Sequence, residues 1–193
     1  FDFRLVSMQT LTKRWQIAPR ISPEADRALH GYPPILRQIL YNRGYADPDA
    51  ARRYVEATPP GGTQSSQMLG IPAAVDRIQY AIQHHEPIAV YGDYDTDGVT
   101  ATVLLVQTLR VLGADAHEYI PNRFDEGYGL NKDALSTLAE RGIRLVITVD
   151  CGIRSIPEAE HARSLGLDLI ISDHHHPTED LPPAFAIINP KQP

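Results

Sequence analysis

From Ile71 onward the hydrophobic residues fall in two kinds of stretch that take turns. Longer stretches with helical spacing read as helices: IPAAVDRIQYAIQHH, GVTATVLLVQTLRVLG, NKDALSTLAERG and SIPEAEHARSLG. Short runs that are apolar at nearly every position read as strands: PIAVYG, AHEYI, RLVITVD, LDLIISD and FAIIN. A strand that is apolar on both sides must be covered on both sides. The alternation therefore predicts an α/β fold, a parallel sheet with helices on both faces. Ser155 and Glu158 are spaced as a capping box at the start of the last of these helices.

Before Ile71 the rhythm is different. Ser22-Pro23 and Asp47-Pro48 each read as an N-cap followed by proline at the first helical position. PPILRQILYNRG has helical spacing and stops at Gly44, and TPPGGTQSSQ has the composition of a linker. Residues 1–70 are thus expected to be a small, mainly helical region, and 71–193 a separate α/β domain.

Composition narrows the class. The 193 residues are 42% hydrophobic and 22% charged, which suits a folded domain, and no apolar run approaches the ~20 residues of a membrane span. Lys13 and Arg14 follow the short N-terminal apolar stretch, the reverse of a signal peptide, and Met8 is a candidate start. Cys151 stands alone, so no internal disulfide forms, and a cytoplasmic location is expected. The formal charge of -6 is the wrong sign for a protein that binds phosphates with Lys and Arg alone. Carboxylates gathered around metal ions lower the total while the ions restore positive charge locally.

Each acidic cluster lies at the C-terminal end of an expected strand: Asp93, Asp95 and Asp97 after the first, Asp150 after RLVITV, and Asp173 with His174, His175 and His176 after LDLIIS. In open α/β sheets that edge is where ligands bind. Asp93-x-Asp95-x-Asp97-Gly98 matches the first half of a calcium loop, but the twelfth position is Leu104 instead of a bidentate Glu. DTDGVT also fits an aspartyl-phosphate nucleophile at Asp95, yet no lysine lies between Lys132 and Lys191 to stabilise a phosphoryl group. A two-metal phosphoesterase site uses all three clusters. Carboxylates with imidazoles suit manganese, or magnesium where carboxylates dominate, and two such ions serve an in-line displacement at phosphorus.

GDYDTDGVTA, PNRFDEGYGL, VDCGI and SDHHHP, in this order, resemble the four leading motifs of the DHH phosphoesterases, and the second motif is similar to that of the RecJ branch. The resemblance implies metal-dependent hydrolysis of phosphodiesters in single-stranded DNA, from 5′ to 3′, in repair and recombination. It implies two ions, Mn2+ or Mg2+. Asp95 and Asp97 would each favour one ion, Asp150 would bridge them, and His174 would ligate the second. His175 would face the scissile phosphate, and Asp93 would be an extra or outer-shell ligand. Arg123 would bind substrate phosphate in a loop shaped by Asn122, Glu126 and Tyr128. Single-stranded DNA is the implied partner, with a single-strand-binding protein and a helicase as further ones, and no membrane.

Pyrophosphatase-like relatives carry a histidine where this chain has Tyr91, which argues against that activity. The family also uses a further aspartate and a second domain downstream, so residues 1–193 are expected to be the N-terminal part of a longer enzyme, inactive or weakly active alone. The other functions open to a chain of this kind are a DHH phosphodiesterase of short oligonucleotides or cyclic dinucleotides, and a non-catalytic DHH scaffold. His84, His85 and Cys151 are read as structural, and His176 as a solvated loop residue.

Overall fold

The computed structural model describes residues 16–58, 64–122, 127 and 129–192. The chain divides into two compact units, Phe1–Gly62 and Thr63–Pro193.

In the first unit, helix α1 (Pro23–Ala28) is capped by Ser22 and α3 (Pro48–Val55) by Asp47, whose side chains accept the N–H groups of Ala25 and Ala50. Between them α2 (Pro34–Asn42) ends just before Gly44, whose φ of +83° only glycine adopts without strain. Leu29, Leu40 and Ala51 form the small core, with Ile21, Tyr32, Leu36 and Tyr45 packed against it.

The second unit runs through a 3-10 turn (Ser65–Gln67), α4 (Ile71–Gln83), β1 (Ile88–Gly92), α5 (Thr96–Val111), β2 (Ala116–Tyr119), α6 (Lys132–Glu140), β3 (Leu145–Val149), α7 (Ile156–Ser164), β4 (Asp168–Ser172) and β5 (Ala186–Ile188). The five strands form one parallel sheet in the order β2-β1-β3-β4-β5. Alternate residues serve the two faces. Ile88, Val90, Leu145, Ile147 and Ile170 pack with Ala74 and Ala81 of α4 and Val106 and Leu109 of α5. Ala89, Tyr91, Val146, Leu169 and Ile171 pack with Ala134, Leu135 and Leu138 of α6 and Ala159 and Ala162 of α7. This is the α/β architecture expected from the alternating pattern. The strand order reverses direction between β1 and β3, so the sheet has its switch point there.

Two local expectations are corrected. Helix α5 begins at Thr96, two residues before the glycine expected to open it, because Asp95 supplies the cap. The capping box at Ser155 does not form: Ser155 precedes α7 with ψ of 59°, outside the extended geometry a capping side chain needs, and makes no capping bond. No described helix is long and apolar enough to cross a membrane.

Candidate metal centre

Four strands finish level with one another. Gly92, Val149, Ser172 and Ile188 are in register across β1, β3, β4 and β5. The next residues are Asp93, Asp150, Asp173 and Asn189. Three carboxylates and an amide therefore leave the sheet at one height, around the switch point.

Asp93 is buried, and its Oδ1 accepts the Tyr94 N–H at 2.8 Å. The start of α5 presses directly on it: a Cβ on Gly98 would lie 2.5 Å from the Asp93 carbonyl oxygen. Only glycine permits that approach. Asp95 caps the helix, its Oδ1 accepting the Gly98 N–H at 3.0 Å. Asp97 follows in the first turn and is exposed.

Asp150 has a left-handed backbone, φ +63°, which costs an ordinary residue about 1–2 kcal/mol. The surroundings hold it there. Its N–H donates to the Ser172 carbonyl at 3.0 Å, and buried Thr148 donates its hydroxyl to the Cys151 carbonyl at 2.8 Å, closing the turn.

Asp93, Asp95 and Asp150 offer oxygens that lie within 4.8 Å of one another, and so do the donor atoms of Asp150, His174 and His175. Asp150 belongs to both groups. Asp97 belongs to neither, though it lines the same groove as Asp150 and His174. Burial, then the charge of Asp95 and more weakly of Asp97, pushes the Asp150 carboxyl above its usual range, while His174 and His175 oppose the rise. His174 Nε2 lies 3.0 Å from Asp150 Oδ1. Carboxylates this close repel each other unless a cation sits among them, and oxygen with imidazole donors fits manganese or magnesium.

Asp173 was not singled out for a role from the sequence, yet it organises the histidines. Its Oδ1 accepts the N–H groups of His174 and His175 at 2.7 and 3.0 Å and the His175 ring Nδ1 at 2.8 Å. Its Oδ2 accepts the Ile153 N–H at 3.0 Å. Burial, the largest influence, raises its pKa, but these donors outweigh it and bring the group below the ordinary range. With Nδ1 bonded to a carboxylate, His175 carries its proton there and keeps Nε2 for a ligand. Asn189 completes the support, donating to the His175 carbonyl at 2.9 Å. The sequence signals for Asp173 were its place at a strand end and immediately before three histidines; Asn189 had none.

Arg123, Glu126 and Tyr128 lie outside the described residues. Asn122 is exposed, three residues past Tyr119, the last residue of β2. Tyr91 points into the α6–α7 face, where its hydroxyl donates to the Gly129 carbonyl at 2.9 Å and accepts from Asn131 at 3.3 Å. Cys151 is buried, and burial drives its thiol well above the ordinary range.

Residues 87–193 match the DHH family, N-terminal domain. The chain is 42% identical over 186 residues to the single-stranded-DNA-specific exonuclease RecJ of Bacillus subtilis, a match covering 93% of this chain and 23% of that protein. It is 42% identical over 159 residues to RecJ of Escherichia coli, covering 82% of this chain and 27% of that one. Among solved structures, exonuclease RecJ bound to manganese matches 68% of this chain and 33% of its own, with 36% identity and a TM-score of 0.61. RecJ from Thermus thermophilus in complex with Mn2+ matches 86% of this chain and 22% of its own, with 29% identity and a TM-score of 0.59. The chain thus spans about a quarter of the length of the curated relatives named. With the motifs, the sheet and the matched residues in agreement, this chain belongs to the DHH family and is strongly similar, over most of its length, to the RecJ single-stranded-DNA-specific exonucleases.

Proposed function

We propose that this chain forms the metal-binding part of an exonuclease that degrades single-stranded DNA from 5′ to 3′, in repair and recombination in the cytoplasm. The observation that carries the reading is Asp150: one carboxylate shared by two ligand groups at the switch point of a parallel sheet. Asp93, Asp95, Asp97, Asp150 and His174 would hold two ions, manganese or magnesium. When bound, such a pair supplies Lewis acidity at a phosphate and a more acidic water.

The protein's own residues do the rest. The turn closed by Thr148 fixes the Asp150 carboxylate, and the α5 cap fixes Asp95. Asp173 holds the His175 Nδ1 proton, so Nε2 would face the scissile phosphate as a ligand atom while the ring is neutral, and as donor or acid once Nε2 is also protonated. Arg123, Asn122 and Tyr128 would bind phosphate in the loop after β2. A single-strand-binding protein and a helicase are the partners this function would call on.

The test is calorimetry with manganese, followed by digestion of singly end-labelled DNA by the protein that carries this chain. Manganese binding lost in Asp150→Ala, with mononucleotides released first from the 5′ end by the unaltered protein, is the expected result. Activity confined to dinucleotides or cyclic dinucleotides, or no metal binding at all, would overturn it.

A further inference from the structure

The acidic edge has a hollow on each side. Toward α5 lies a groove of about 320 Å3 lined by Asp97, Asp150 and His174. Toward α7 a cavity of about 410 Å3 opens beside His175, with Arg154, Ser155 and Glu158 in its wall. Asp173 borders both. The first hollow belongs to the ligand set already described. Nothing in that set accounts for the second, whose volume suits a group of nucleotide size.

Arg154 is unlike most described arginines that make side-chain bonds. Arg37, Arg52, Arg77 and Arg110 each face a carboxylate. Arg154 faces a backbone carbonyl, its Nε donating to the His176 oxygen at 2.8 Å. That single bond ties the side chain to the segment carrying His174 and His175 and leaves both Nη groups unspent among the described residues. Ser155 beside it makes no capping bond with its hydroxyl.

We propose that Arg154 and Ser155 form an anion subsite for the phosphate next to the scissile one, seating one nucleotide unit in the cavity beside His175. The proposal rests on the exonuclease reading above. A strand crossing this edge meets the charges of Asp93, Asp95, Asp97, Asp150 and Asp173. Metal ions offset them where the scissile phosphate sits, and the neighbouring phosphate needs a cation of its own. A guanidinium anchored through Nε offers its remaining N–H fork to two phosphate oxygens. Glu158 puts a negative charge in the same wall. The cavity therefore disfavours a second phosphate and offers an acceptor for the N–H or O–H groups of the nucleoside.

The test uses the manganese-loaded protein carrying this chain, with Arg154→Gln and Arg154→Lys. Glutamine keeps a donor for the His176 carbonyl and removes the charge. Expected for Arg154→Gln is a KM for single-stranded DNA raised about tenfold, as for loss of a hydrogen bond to a charged group. Its kcat should stay within roughly twofold. The slope of log KM against log salt should become shallower by about 0.7, the signature of one lost phosphate contact on a single strand. Lysine should recover part of the KM. Replacing successive DNA phosphates by neutral methylphosphonates should reveal one position that impairs the unaltered protein and leaves Arg154→Gln unaffected. An unchanged KM and salt slope in Arg154→Gln would overturn the subsite. So would a fall in kcat and manganese affinity at constant KM, which would make Arg154 only a brace for the histidines. An unaltered protein that binds manganese but releases no nucleotide from any DNA would instead remove the exonuclease reading, and the subsite with it.

Discussion

The two ends of the sheet treat buried charge in opposite ways. At the N-terminal end, Arg77 of α4 lies between Glu86 and Asp168, with nitrogen–oxygen distances of 2.7 and 2.6 Å. It also stacks over the Tyr80 ring. Burial, the largest influence, pulls its pKa down, yet the bonds to Asp168 and Glu86 carry it above the ordinary value. At the C-terminal end, Asp93, Asp95 and Asp150 converge, and the Asp150 carboxyl is raised above its ordinary range, first by burial and then by the charge of Asp95. One end carries its cation in the chain. The other gathers anions, and under the proposed function a metal ion would sit among them.

The contrast can be broken at several points. The largest effect is expected from Asp150→Ala, which should weaken manganese binding more than about a hundredfold, beyond the loss typical of a supporting residue. In Asp150→Asn, which removes the charge on a residue type that tolerates the left-handed backbone, the urea midpoint of the metal-free protein should not fall, because a repelling charge has gone. A marked loss of stability there would erase the distinction. Arg77→Met should do the reverse. It leaves two half-covered carboxylates unpaired and should destabilise by about 2–3 kcal/mol, somewhat less than for a fully buried pair. Its manganese affinity, measured on the folded protein, should be unchanged.

Asp173→Asn sharpens the comparison within the acidic end. It should lower turnover ten- to a hundredfold, the range for a residue that orients a ligand, with a smaller change in metal affinity. Nitrogen NMR of the His175 ring should show the proton no longer fixed at Nδ1. The smallest effect is expected from Tyr91→Phe, which removes the bond to Gly129 and should cost about 1 kcal/mol in urea unfolding. Metal affinity should be untouched, since the phenol faces α6 and not the ions. A lost metal would put Tyr91 in the ligand set.

Much of this was legible because the strands are apolar on both faces. PIAVYG, RLVITVD and LDLIISD could be little else, and the acidic residues behind them mark the ligand edge by position alone. The limits are equally specific. Three aspartates in five residues conceal which one caps the helix, and it is Asp95 because the Gly98 N–H comes within reach only when α5 closes onto Asp93. Asp173 looks like one more candidate ligand until the Ile153 N–H arrives from another strand connection to occupy its second oxygen. Ser155 and Glu158 have the letters of a capping box without the backbone. Arg154 carries no pattern at all, since its neighbour His176 is distant in sequence. What failed to be legible is contact between segments joined only by folding.

The left-handed turn at Asp150 also bears on how such a protein changes over generations. Glycine is the residue that fits this backbone without strain, and one nucleotide change in an aspartate codon yields it. Asp150→Gly should relieve both the strain and the crowding of charge, stabilising the metal-free fold by about 1 kcal/mol. The step toward a sturdier protein is thus also the step that removes the proposed shared ligand. If the proposed function holds, a copy released from selection for DNA cleavage is free to drift there while folding better than its ancestor. An inactive, well-folded descendant serving as a docking platform is one substitution downhill, and the return path is uphill.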